Sequence, residues 1–510
     1  MTGREHFLVR AGQLANVVLA TTDGLALLVL SYFVYNSVSG QRRFSTWQEI
    51  VLYYLLPSAM AVLLFLSLKL EPIPKLRLLT AGVAITASVY LAELFLVFAG
   101  GNQITSFDAL DYQTQLRPEM ARLANARNKE KYAAALTKQF GNPIDVRTAR
   151  EVIADLRKNG VEAIPIMTAT NHFFVPQPDG SIHSAIQIDG REVIPLGTVS
   201  GRTTLLCNEN GQWIDYRSDS RGFNNPDGAW ESRPLDVAAL GDSFTQGYCV
   251  PVGRNFVDLI RQRDPATLNL GIAGDGPLMM LATLKEYLPR LTPKVVLWFY
   301  YEGNDLVDLQ TERRSALLRS YLRDDFSQPD LVRQSEIDRA MTAEMPRLAT
   351  EERESLARKT RNTVVAELMA AAKLTALRSR LVQLNASESA SIEAAADFEA
   401  PNMEVFREVL TQAKARVGVW NGQLVFVYLP EWTRYTNYGS WGKAKRRDVL
   451  AMAGGLGLPI IDIDPAFQAH GDPLSLFPFR ATGHYAEAGH QVVADEVVKA
   501  LLSRHLLADR

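Results

Sequence analysis

Residues 237–248 read VAALGDSFTQGY, an apolar run that breaks into Gly-Asp-Ser and then turns polar. Gly, Asp and Ser are common loop residues, each for its own backbone reason, so the tripeptide alone describes a turn. Its surroundings say more. From residue 231 onward, short apolar runs alternate with helical patterns: LDVAAL, NFVDLIRQR, TLNLGIA, LMMLATLKEYL, KVVLWFYY, QLVFVYL and LPIIDID, then a helix from about Ala486 to His505. Near-continuous apolar strands separated by helices indicate a parallel sheet covered on both faces. Ligands of such sheets bind beyond the carboxyl ends of the strands. The polar residues that follow each strand are therefore the candidates for chemistry.

After the first strand comes Gly241-Asp242-Ser243, after TLNLGIA comes Gly274, and after KVVLWFYY come Gly303, Asn304 and Asp305. His484 stands in ATGHYAEAGH, just before the last helix. Each supplies something that ester chemistry needs. A serine hydroxyl is a weak nucleophile until a base such as His484 takes its proton. The tetrahedral intermediate carries an oxyanion that must meet fixed donors, for which the amides of Ser243 and Gly274 and the Asn304 side chain are available.

The blocks GDSFTQG, NLGIAGDG, YYEGNDL and GHYAEAGH, in this order, resemble those of the SGNH hydrolases, also called GDSL esterases. The likeness covers about 231–310 and 402–510. It implies a three-layer, flavodoxin-like α/β hydrolase domain and an acyl-serine mechanism that needs no cofactor and no metal. It further implies Ser243 as nucleophile, Gly274 and Asn304 as oxyanion-hole residues, and His484 as base. One position departs from the family pattern, which places Asp three residues before the histidine; here that residue is Ala481. The tautomer that His484 presents to Ser243 depends on what its other ring nitrogen bonds. A backbone carbonyl near Ala481, giving a Ser-His dyad, is the first candidate and Asp472 the second.

The first hundred residues hold three apolar stretches, Leu14–Tyr35, Ile50–Leu68 and Leu76–Ala99. Each is long enough to cross a hydrocarbon core of about 30 Å, so three transmembrane helices are expected within 1–100. Arg4, Arg10, Lys69, Lys75 and Arg77 fall on one side, with Arg42 and Arg43 on the other. That bias puts the N-terminus in the cytoplasm and everything after about residue 100 outside. Asp23 and Glu93 lie within the spans, where an acid calls for a partner or a polar cavity. Residues 101–230 read as a charged connector and a small α+β module. Asp145 is expected to cap a helix over 146–159, and TTLLCNENGQWIDY reads as a hairpin. Residues 231–510 form the hydrolase domain, interrupted at about 308–400 by a helical insertion. Cys207 and Cys249, the only cysteines, both fall in the outer part, where a disulfide is permitted.

With 54 basic and 56 acidic residues, the chain has no overall charge suited to nucleic acid. His172 and His183 read as surface residues, Trp298 to Tyr301 as strand core, and Trp432 and Tyr435 as walls of a substrate cleft. The leading expectation is a multi-pass protein of the cytoplasmic membrane with an external serine esterase domain. Its substrate would be an acylated glycan or lipid, from which it removes acetyl or another short acyl group. The alternatives are an acyltransferase working with a membrane partner protein, and a non-catalytic polysaccharide-binding domain, which Ala481 favours.

Overall fold

The computed structural model describes residues 3–38, 51–99, 143–231, 234–351, 389–435, 441–480 and 483–507, with a few isolated positions between them. The chain divides into two units, one holding the described residues up to 99 and the other those from 133 onward. Most of the expected connector after residue 100, the middle of the helical insertion, Arg42, Arg43 and Ala481 lie outside the described residues.

In the first unit, α1 spans Gly3–Val38, α2 spans Leu56–Ser67 and α3 spans Pro72–Ala99. Among the described residues, two segments are long and apolar enough to cross a membrane, Val9–Leu28 and Pro72–Ala92. The expected second span differs. A π-helical turn, Val51–Leu55, leads into α2, which has only 12 residues. At about 1.5 Å per residue α2 rises about 18 Å, well short of a hydrocarbon core. Among the described residues, two spanning candidates stand where three were expected. Lys75 is buried and donates to Asn16 Oδ1 (2.6 Å) and to the Leu68 carbonyl (2.9 Å), tying α1 to the α2–α3 turn. One carboxylate oxygen of Asp23 is buried with no hydrogen-bond partner among the described residues.

The second unit begins with α4 (Ala149–Lys158), capped by Thr148 rather than by Asp145. The Thr148 side chain accepts from the Glu151 amide, and Glu151 returns a bond to the Thr148 amide. Asp145 instead pairs with Arg147. A small sheet follows: β1 (Ala163–Pro165) runs parallel to β2 (Thr203–Cys207), and β2 pairs antiparallel with β3 (Ile214–Arg217) as the expected hairpin.

The main sheet has five parallel strands: β4 (Val237–Gly241), β5 (Thr267–Gly271), β6 (Val295–Tyr301), β7 (Gln423–Leu429) and β8 (Ile460–Asp462). Their spatial order is β8-β7-β6-β4-β5. Side chains alternate strictly between its faces. Ala238, Leu240, Val296, Trp298, Tyr300, Phe426 and Tyr428 join one core. Val237, Ala239, Val295, Leu297, Phe299, Val425 and Val427 join the other. The first face is covered by α5 (Pro277–Tyr287) and by Phe406, Val409, Leu410 and Ala413 of the helix Ser389–Gly418. The second is covered by α6 (Glu487–Ser503) and by Phe256, Val257 and Ile260 of the helix Phe256–Arg263. Sheet and helices make three layers. Phe173, Ile186, Ile188, Ile194, Leu196 and Phe223 enter the same core as the first face, so the segment before β4 shares the apolar interior of the sheet.

His490 of α6 is fully buried, and its Nδ1 accepts from the Phe256 amide at 3.2 Å. Burial, with a smaller electrostatic contribution from the neighbouring His484, lowers its pKa to about 3. The unfolded chain takes up this proton near pH 6.5, whereas the folded one refuses it until about pH 3. Stability is therefore present above pH 6.5 and lost on acidification toward pH 3, by about 2–3 kcal/mol between pH 7 and 4.5. Denaturant unfolding at those two pH values should show a correspondingly smaller acid-induced loss in His490→Asn than in the parent.

Candidate active site

β4 ends at Gly241 and a single helical turn begins at once with Ser243, so the serine sits at the carboxyl edge of the sheet. Asp242 caps this turn by accepting from the Phe244 amide at 2.9 Å. His484, just before α6, places Nε2 2.7 Å from Ser243 Oγ. Ser243 and His484 are 7% and 5% exposed. The imidazole lies between the rings of Phe244 and Tyr248, with centroids 4.7 and 4.8 Å away.

The other ring nitrogen is met by a residue that the sequence did not single out. Glu209, in the turn between β2 and β3, places its carboxylate oxygens 3.0 and 2.9 Å from His484 Nδ1, and one of them also accepts from the His484 amide at 2.8 Å. Glu209 is buried, so the contact is shielded from water. Neither expected orienting group is used. Asp472 is exposed and pairs with Arg480, and Ala481 lies outside the described residues while the nitrogen it was to serve is occupied. A polar loop acid needed somewhere to act; the hairpin turn brings it there, and the dyad gives way to Ser243-His484-Glu209.

Two features hold this turn in place. Cys207, two residues before Glu209, is disulfide-bonded to Cys249, six residues after Ser243. Asn210 Nδ2 donates to the Cys249 carbonyl at 2.6 Å. On the histidine side, Gly483 has φ +152°, and a Cβ there would stand 3.0 Å from Glu209 Oε2. Glu209, Cys249 and His484 present potential ligand atoms within 4.8 Å of one another, but the Cys249 sulfur is already bonded to Cys207.

Gly274 follows β5 with φ +86°, a conformation that suits glycine. Among the described residues, the backbone amides of Ser243 and Gly274 have no acceptor within the protein. Asn304 stands at the start of the helix Asp305–Glu312 beyond β6 without a side-chain capping bond, its side-chain amide beside the Asp242 carboxyl. Burial raises the Asp242 pKa to about 6 against the opposing pull of His484, the Phe244 amide and the Asn304 side chain. Behind this edge, Asp275 and Asp305 are buried and Asp308 partly so, and desolvation with repulsion from neighbouring acids such as Glu312 and Asp242 raises all three well above the ordinary carboxylate range. The shift is toward the neutral form, which sets no negative charge against an oxyanion. Asp305 also accepts from the Tyr301 amide at 3.1 Å.

Residues 239–492 match the GDSL-like Lipase/Acylhydrolase family. This segment is a GDSL-like lipase/acylhydrolase domain. Similar solved structures include a lipolytic protein of the G-D-S-L family from Desulfitobacterium hafniense (12% identity, 52% of this chain and 99% of that one, TM-score 0.29). A lipase/acylhydrolase from Enterococcus faecalis matches at 13% identity over 53% of this chain and 96% of its own, with a TM-score of 0.28. An acetyl xylan esterase matches at 11% identity over 52% and 100%, with a TM-score of 0.29. No curated protein matches the chain.

Other candidates in this acylhydrolase take structural places. Tyr435 donates to Asp464 Oδ1 at 2.9 Å and Trp432 to the Arg480 carbonyl at 3.3 Å, and both pack, partly buried, against the second core. His183 is exposed and pairs with Glu192 at 2.9 Å. His172 is half-buried rather than on the surface; its Nδ1 accepts from the Thr168 amide at 3.1 Å, and burial lowers its pKa.

Gly483→Ala should push Glu209 away from His484 and lower kcat by about 10-fold with KM little changed, a loss below that of removing a triad acid outright. Steady-state kinetics on an activated ester checks this. Cys207→Ser with Cys249→Ser frees a loop with 42 residues of separation and should lower the unfolding free energy by about 4 kcal/mol in denaturant titration.

Proposed function

We propose that this acylhydrolase is a membrane-anchored serine esterase that works outside the cytoplasm and removes acetyl or another short acyl group from a glycan. The observation that carries the chemistry is the line Ser243 Oγ–His484–Glu209, with 2.7 Å on the serine side and 2.9–3.0 Å on the acid side. His484 Nε2 takes the serine proton as Oγ attacks the ester carbonyl. Glu209 holds Nδ1–H, keeps Nε2 as the acceptor, and stabilises the imidazolium that forms. The oxyanion meets the amides of Ser243 and Gly274 and the Asn304 side chain. As the tetrahedral intermediate collapses, the C–O bond to the leaving alcohol breaks and His484 returns the proton to that oxygen, leaving an acyl-serine. Water then attacks, its proton passing to His484, and the second collapse frees the carboxylic acid and restores Ser243.

The departure at Ala481 had favoured a non-catalytic domain; Glu209 fills the role the missing Asp would have had. The narrow exposure of Ser243 and His484 suits a small acyl group. The two apolar helices support an anchor, and the disulfide supports an external acylhydrolase domain. A glycan is the ester carrier such a tethered domain would meet.

With the full chain in detergent, p-nitrophenyl acetate should be cleaved faster than the octanoate. Ser243→Ala and His484→Ala should each lower kcat by at least about 10³-fold, and Glu209→Gln by about 10²–10⁴-fold, with Asp472→Asn within about twofold of the parent. Asn304→Ala should cost about 100-fold in kcat. Full turnover in Ser243→Ala would overturn the acyl-serine reading, and full turnover in Glu209→Gln the triad. A reporter fused after residue 100 should be external; a cytoplasmic signal would remove the compartment from the proposal.

A further inference from the structure

The peptide joining Ala273 to Gly274 is engaged at one edge and open at the other. Its N–H, on Gly274, is one of the oxyanion donors proposed above. Its carbonyl, on Ala273, accepts a hydrogen bond from Asn171 Nδ2 at 3.3 Å. A peptide unit is planar, with C=O and N–H directed oppositely, so whatever holds the carbonyl also aims the N–H. The preceding peptide is held as well: the Ala273 amide donates to Gln246 Oε1 at 2.9 Å, and Gln246 Nε2 donates to the Tyr216 hydroxyl at 3.1 Å. Asn171 lies directly against the glycine, since a Cβ on Gly274 would stand 2.7 Å from Asn171 Nδ2.

Asn171 itself is exposed, yet its backbone is well anchored. It belongs to the π-helical turn Ala169–Phe173, whose Ala169 and Phe173 are buried in the core. His172 donates its amide to the Thr168 carbonyl at 3.1 Å, and its ring accepts from the Thr168 amide. A fixed turn with one exposed amide side chain on the Gly274 loop is an arrangement suited to setting that loop's geometry.

We propose that Asn171 is a positioning residue of the oxyanion hole, an inference that rests on reading Gly274 as one of its donors. By holding the Ala273 carbonyl it orients the Gly274 N–H toward the reacting carbonyl oxygen. It also polarises the peptide, because a bond accepted at C=O strengthens the N–H as a donor, by about 10–30% in condensed-phase estimates. The segment before β4 thereby acts on both ends of the reaction, through Glu209 on the base and through Asn171 on the oxyanion.

The test compares Asn171→Ala and Asn171→Asp with the parent, using the full chain and p-nitrophenyl acetate. Asp keeps the shape, removes the donor and sets an oxygen against the carbonyl. Both variants should lose about 10-fold in kcat, less than the loss of a direct donor, with KM within twofold. The pH at which the base titrates in kcat/KM should not move, because His484 and Glu209 are untouched. Amide hydrogen exchange in the stretch containing Gly274 should quicken. An unchanged kcat, or a fall in activity that comes with a displaced pH profile or a raised KM, would overturn the role. If the parent itself cleaves no ester, the esterase reading fails and the exchange measurement decides alone: quicker exchange supports the anchor, and unaltered exchange removes it.

Discussion

Everything at the candidate site depends on one buried contact, the Glu209 carboxylate against His484 Nδ1. An imidazole has two nitrogens and one proton to place when neutral, and the serine needs the nitrogen facing it to be free of that proton. Glu209 supplies the only acceptor that the described residues bring to the far side. It also takes the His484 backbone amide, so ring and backbone are registered against a single carboxylate. A buried carboxylate is costly to desolvate unless it is well bonded, and here the cost is offset by these contacts. The rest of the neighbourhood serves them. The disulfide keeps the hairpin turn beside the nucleophile loop, Gly483 leaves room for the carboxylate, and Phe244 and Tyr248 hold the ring between them.

The parallel sheet does the coarser placement. Three strand ends in a row deliver Ser243, Gly274 and Asn304 to one edge, because strands buried on both faces can turn toward solvent only at their ends. Fine placement comes from side chains. Asp242, Asp305 and Glu312 each spend a carboxylate on a backbone amide near these turns, at Phe244, Tyr301, and Gly276 with Leu278. Such bonds fix the loops without adding bulk in front of the serine. Raised carboxyl pKa values follow first from burying these acids, and for Asp275, Asp305 and Asp308 also from their acidic neighbours.

Much of this was legible in the chain itself. Apolar runs with β-branched and aromatic residues, such as KVVLWFYY, can only be strands buried on both faces, and the structure has β6 there. The polar residues after each run then mark the edge. Glu209 was not legible in the same way, since its role is a property of a turn meeting a residue 275 positions away. Two clues pointed toward it: an unpaired departure at Ala481, and Cys207 close to an acid and able to bond Cys249 beside the nucleophile. Neither clue says which acid, because NEN in a hairpin turn has an ordinary explanation as turn chemistry. The second apolar stretch, within its described residues, is not one long regular helix, for a local reason. Its composition suits a membrane, but the π turn and Pro57 divide it, and mean hydropathy does not register a break in helix geometry.

The distance in sequence between Glu209 and His484 also has a temporal meaning. A chain is made from its N-terminus, so the acid and the nucleophile are both in existence long before the base is synthesised. β7, β8 and α6 must all be added and packed before the imidazole can settle between Phe244 and Tyr248. Until then Ser243 is a plain hydroxyl. The order of the chain thus brings the base to the serine only after the whole sheet is in place.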